Sequence, residues 1–95
     1  MNLFTKRYYP KIVTRKEIAN KLQLILIDNF NISEEQFDWD QPLELLQEDF
    51  TMLSYLIQLD QLIKNQFEQS IPIVENISTG IHTPKDILHL IMNKL

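Results

Sequence analysis

Hydrophobic residues recur along this chain at helical rather than strand intervals. Beyond Thr14, Ile18, Leu22, Ile25 and Leu26 follow one another at steps of four, three and one, and Leu24 and Ile27 widen the stripe. This spacing predicts a first helix that Asn29-Phe30-Asn31 brings to an end. Thr14-Arg15-Lys16-Glu17 has the spacing of a capping box, in which the threonine hydroxyl accepts an unpaired backbone N–H and the glutamate reaches back. A second long helix is predicted over about 51–69, with Met52, Leu56, Leu59, Ile63 and Phe67 on one stripe. Leu53, Tyr55, Ile57 and Leu62 lie beside that stripe and make the apolar arc wider than one core face needs. Such a helix either sits centrally or offers part of its surface to a partner. Ile71-Pro72 stops it, because proline disfavours helical geometry in the preceding residue.

Residues 73–79 predict a short helix or turn with Ile73, Val74 and Ile77 facing inward. The last helix opens at Thr83-Pro84-Lys85-Asp86, with threonine as N-cap, proline at the first helical position and an acid near the positive dipole end. Ile87, Leu88, Leu90, Ile91 and Leu95 supply its buried side. Between the first two long helices runs an acidic connection, about 32–49. Ser33-Glu34-Glu35-Gln36 is suited to cap a single turn there, and Phe37, Trp39, Leu43, Leu45 and Leu46 are the residues available to anchor the rest to a core. Gly80 is the only glycine, which argues against a hairpin-rich fold whose turns need positive φ.

Charge divides the chain unevenly. Residues 1–21 hold Lys6, Arg7, Lys11, Arg15, Lys16 and Lys21 against one acid, Glu17, whereas 22–63 hold nine acids and no lysine or arginine. The asymmetry predicts either internal docking of a basic, aromatic arm (residues 1–13, with Tyr8-Tyr9-Pro10) onto the acidic middle, or two differently charged partner surfaces. A nucleic-acid partner is disfavoured, since most of the domain would repel phosphate. The 44% apolar content of 95 residues suits one globular domain, residues 14–95. There is no cysteine, which removes disulfides and thiolate chemistry. With no membrane-length apolar run and no leader-like start, the expectation is a cytoplasmic protein.

Little points to catalysis or metal. No Gly-rich phosphate loop or nucleophile elbow is present. Asn29, Asn31, Ser33, Glu35 and Asp40 have offsets like those of a calcium loop, but Glu34 stands where its turn requires glycine. His82 and His89 have no third ligand.

The order of elements, with its long acidic first loop, resembles the acyl and peptidyl carrier proteins over about residues 14–95. Four stretches carry the resemblance in order. Glu17-Ile18 through Phe30-Asn31-Ile32-Ser33-Glu34-Glu35 is similar to the family's first helix and its exit, and Pro42-Leu43 with Leu45-Leu46 resembles the apolar pair before its modification site. Phe67-Glu68-Gln69-Ser70-Ile71-Pro72 is similar to the end of its second helix, and Ile77 to Ile91 to its closing loop and fourth helix. The resemblance implies an all-α, four-helix acyl-carrier-protein-like bundle with a long loop between helices 1 and 2 and a short third helix. It also implies an Asp-Ser-Leu triplet opening the second helix, whose serine carries phosphopantetheine.

That triplet is missing or displaced. Counting forward from Leu46, the serine position falls on Phe50; counting backward from Ile71-Pro72, it falls on Leu53, next to Ser54. With the second helix beginning near Thr51, Ser54 would lie about a turn inside it. The second helix also presents mainly amides (Gln58, Gln61, Asn65, Gln66, Gln69) where the family presents acids.

Three readings follow. In the first, the domain is a divergent, non-catalytic relative without the arm that acts through protein partners, with Phe50, Met52 and Tyr55 as candidate partner-binding residues. In the second, it carries an acyl or aminoacyl group on phosphopantetheine at Ser54, with Thr51 a weaker site, and its partners are synthase, transferase or ligase-type enzymes. In the third, it is an unrelated helical adaptor.

Overall fold

Both threonine caps form as their spacing predicts. In a computed structural model, which describes residues 14–71, 73–76 and 81–95, Thr14 opens helix α1 (Arg15–Asn29). Its hydroxyl accepts the Glu17 N–H at 3.1 Å while the Glu17 carboxylate accepts the Thr14 N–H at 3.3 Å. Asn31, at φ 59°, then turns the chain away in the left-handed region that asparagine tolerates better than most residues. Thr83 opens the last helix, α5 (Pro84–Lys94), with its hydroxyl accepting the Asp86 N–H at 3.1 Å. The Asp86 carboxylate accepts in return from the backbone N–H groups of Thr83 and His82.

Between them lie α2 (Leu43–Leu46), a 3₁₀ turn (Glu48–Thr51), α3 (Leu53–Phe67) and α4 (Ile73–Asn76). The described residues are all-helical, without a strand among them. Helix α1 packs against α3 and α5, and α4 packs against α3. Ile18, Leu22 and Leu26 from α1 meet Leu56, Leu59 and Ile63 from α3 and Ile87, Leu88 and Ile91 from α5 in one core. Each such side chain stabilises by about 1.5–3 kcal/mol before the entropy of ordering it is subtracted.

The long acidic connection is tied down at both ends. Its Ser33 hydroxyl accepts the Gln36 N–H at 3.1 Å, closing the expected single turn. Phe37 then packs edge-on against Trp39, ring centroids 4.9 Å apart. Two backbone bonds attach the loop to the start of α5: Lys85 N–H donates to the Trp39 carbonyl at 3.1 Å, and Leu43 N–H to the His82 carbonyl at 2.8 Å. An ion pair between Asp40 and Lys85 lies beside them.

Several expectations need correction. Leu45, expected as an anchor, is 71% exposed, and only Leu43 of its neighbours is fully buried. The connection contains α2 and the 3₁₀ turn, each too short to leave a periodic signal. Helix α3 begins at Leu53 instead of Thr51, because residues 48–51 are wound into the 3₁₀ turn. It ends at Phe67, because Glu68 adopts a left-handed conformation (φ 57°) and donates its N–H to the Lys64 carbonyl at 2.8 Å. The arm (1–13), Pro72 and the inward position expected for Ile77 lie outside the described residues.

Candidate functional site

The start of α3 combines a firm base with an unusually apolar exterior. Gln47 supplies the first fixed point. Its side-chain amide donates to the Phe30 carbonyl at 2.8 Å, joining the end of α1 to the turn, while its oxygen accepts the Asp49 N–H. Phe50 follows and is driven inward: its ring centroid lies 4.8 Å from that of Phe30 and 6.1 Å from that of Tyr55. These three rings form a tilted and edge-on cluster, the geometry that aromatic quadrupoles favour. Phe50 is therefore a core residue, not the partner-facing side chain expected from sequence, and Tyr55 is half-buried over it.

Thr51 ends the 3₁₀ turn with its hydroxyl donating to the Glu48 carbonyl at 3.0 Å. A hydroxyl held this way is poorly placed to accept a covalent group. Met52 is the N-cap of α3 and supplies no side-chain acceptor to the free N–H groups of the first turn. Leu53 and Ser54 are the first two helical residues. Ser54 is exposed, and none of the hydrogen bonds found among the described residues engages its hydroxyl. It thus lies at the helix start and not a turn inside, as the predicted boundary had it.

Around Ser54 the surface is apolar. Met52, Leu53 and Ile57 are each about half exposed, and Leu53 and Ile57 are neighbours one turn apart along α3. The excess width of the apolar arc is accounted for here: Leu56, Leu59 and Ile63 face the core, Tyr55 and Leu62 are half-buried, and Leu53 and Ile57 are left to solvent. Among the residues named as candidates, the fold brings Met52, Ser54 and Tyr55 to one helix start and withdraws Phe50 below it. Leu53 and Ile57 were visible in the sequence only as surplus hydrophobicity, with nothing to say which part of the arc stayed outside.

Two carboxylates are held away from their ordinary behaviour. Burial pushes the Asp60 carboxyl up, and the charge of Glu75 adds to that, although the backbone N–H groups of Ile73 and Val74 oppose it. Its bond to Ile73 N–H, 3.2 Å long, caps the start of α4. Burial also pushes Asp86 up, but the N–H groups of His82 and Thr83 and the Thr83 hydroxyl outweigh it and hold the carboxyl below its usual value. Both groups serve helix starts other than that of α3.

Among the described residues no cluster of three or more His, Asp or Glu side chains is placed to hold a metal ion. No described helix is long and apolar enough to cross a membrane. No protein-family model, curated protein or solved structure matches the chain.

Proposed function

We propose that this domain is a divergent relative of the acyl carrier proteins that acts through protein partners without catalysing a reaction, with the start of α3 as its contact surface. The observation that carries this reading is Leu53. It occupies the first position of α3, where counting backward from Ile71-Pro72 sets the family's modified serine, and it is 57% exposed with Met52 and Ile57 half exposed nearby. An apolar cluster at the point where a carrier meets its enzymes suits a protein contact better than a tethered arm. The fold that this reading requires is the four-helix carrier bundle, with α1, α3, α4 and α5 as its helices and α2 as an extra turn in the long loop.

A second reading is favoured by one specific observation. Ser54 is exposed at the helix start, and its hydroxyl makes no hydrogen bond among the described residues, which suits the acceptor of a phosphopantetheinyl transferase. In that case the domain carries an acyl or aminoacyl thioester, and its partners are the synthase, transferase or ligase-type enzymes that load and unload it.

One experiment separates the readings: intact mass after incubation with coenzyme A and a broad-specificity phosphopantetheinyl transferase. Three proteins are compared: the natural chain, Ser54→Ala, and a triple variant (Met52→Asp, Leu53→Ser, Ser54→Leu) that restores the family's triplet. The proposal expects no gain in the natural chain and one phosphopantetheine in the triple variant. A gain in the natural chain that Ser54→Ala abolishes establishes the second reading instead. No gain in any of them, the triple variant remaining folded and an unrelated carrier being modified in the same tube, removes the carrier relationship and leaves the unrelated helical adaptor.

A further inference from the structure

The first turns of α1 and α5 and the loop at Trp39 line an open cavity of about 630 Å³, to which no residue of α3 contributes. Trp39, Ala19 and Leu88 give it apolar walls, and Arg15, Lys16 and Lys85 stand around it with a single acid, Asp40. Asp40 is committed to Lys85. The acids next in sequence to Lys16 and Lys85 are committed as well: Glu17 closes the Thr14 capping box, and Asp86 closes that of Thr83. No carboxylate among the described residues pairs with Arg15 or Lys16. The residues outside the described ones contain no Asp or Glu, so no other part of this chain supplies one.

These cations also stand against the helix dipoles. Arg15 and Lys16 are the first two residues of α1, and Lys85 is the second of α5. Helix N-termini carry partial positive charge, and basic side chains there are destabilising where acidic ones would help. Lys85 is offset by Asp40, so Arg15 and Lys16 are the cations left without an ion-pair partner among the described residues beside this apolar hollow. Its size falls in the range of small-molecule sites, which are mostly apolar with a few polar groups that fix orientation.

We infer that this groove binds a small apolar carboxylate, its tail against Trp39 and Leu88 and its anionic head between Arg15 and Lys16. The planar guanidinium of Arg15 matches a carboxylate through paired hydrogen bonds, and Lys16 adds a second charge. The site is independent of Ser54 and of the contact surface at the start of α3.

Trp39 is the only tryptophan, so its emission reports this groove alone. The test titrates the full chain with decanoate below its micelle concentration, with decanol as the uncharged match, and repeats both on Arg15→Gln/Lys16→Gln. These two residues are exposed, so helical content by circular dichroism should be unchanged in the variant. The expected result is a saturable change in Trp39 emission with decanoate. Affinity should fall by about tenfold for decanol and by about tenfold for decanoate on the double variant, the scale of a lost charge-assisted bond. Equal affinity for decanol, an unaffected double variant, or no saturable change in emission would each overturn the assignment. Backbone amide shifts that centre on Leu53 and Ile57 instead of Ala19 and Trp39 would overturn it as well.

Discussion

The starts of α5 and α3 are built on opposite terms. At α5, Thr83 and Asp86 satisfy backbone N–H groups reciprocally, Pro84 is preset for the first helical position and is itself buried, and the loop at Trp39 is bonded to the next residue. At α3, the N-cap is Met52, whose side chain accepts no hydrogen bond from the first turn, and the first helical residue is an exposed leucine. Stability at α3 comes from below, through Phe50, Phe30 and Tyr55, and through the Gln47 bond to Phe30. One helix start is thus optimised locally, while the other leaves its local positions free and relies on the core. Positions released from folding duties in this way are the ones a contact surface can use.

The largest expected effect tests that support. Phe50→Ala should cost about 3–5 kcal/mol in urea unfolding, as for other buried aromatic truncations, because it removes the ring on which the α3 start rests. A loss below about 1 kcal/mol would mean that the cluster is not what holds this region.

Next come the caps. Thr83→Ala should cost about 1 kcal/mol, the usual value of a lost threonine cap, whereas Met52→Ala at the matching position of α3 should cost almost nothing. The two shifted carboxylates sharpen the contrast through pH. Asp86 is lowered in the folded state, so its contribution is complete above the ordinary carboxylate range and is lost as pH falls through the lowered value. Asp60 is raised, so its sign is opposite: the folded state is favoured below the ordinary value, and that advantage is lost as pH rises through the raised one. Asp86→Asn should therefore flatten the acid limb of the stability profile, and Asp60→Asn should steepen it. Equal profiles for both variants and the natural chain would refute the assignment of these two groups.

How much of this could be read in advance depended on range. The capping box at Thr14 and the N-cap at Thr83 were legible because their partners lie within three residues, whereas Asp86 stood out only as a charge suited to the dipole and not as the second half of a box. The core stripes of α1 and α5 were legible because helical periodicity reports burial over long windows, although Leu24 and Leu95, expected on them, are half exposed. The α3 boundary was not, because the 3₁₀ turn at 48–51 is set by tertiary contacts: Gln47 reaching Phe30 across 17 residues, and Phe50 stacking on the same residue. That shift moved Ser54 to the helix start and Phe50 into the core. The cavity at Trp39 was illegible for a related reason. Arg15, Trp39 and Lys85 stand in three separate stretches, and only the packing of α1 beside α5 brings them together.

A gain should also be obtainable at α3. Met52→Asp supplies the missing acceptor and places an acid at the positive end of the dipole, so it should stabilise by about 0.5–1 kcal/mol. The backbone of Met52 is already extended as an N-cap requires, at φ −93° and ψ 132°, so the substitution needs no rearrangement. A variant no more stable than the natural chain would show that Glu48 and Asp49 nearby already burden the site with negative charge.

The smallest expected change is the most informative about use. Leu53→Gln with Ile57→Gln keeps helix-forming side chains at both positions and removes only half-exposed hydrocarbon. Stability should move by no more than about 0.5 kcal/mol, the range of substitutions away from buried features. A loss several times larger would show that these side chains pack in solution, against this chain or against a second copy, and so are not free for a partner. A small change would leave two large apolar residues on a helix start with no role in folding, beside a cap position that a single acid would improve. Neither choice is explained by the stability of the domain, and both are explained if this surface is kept for contact.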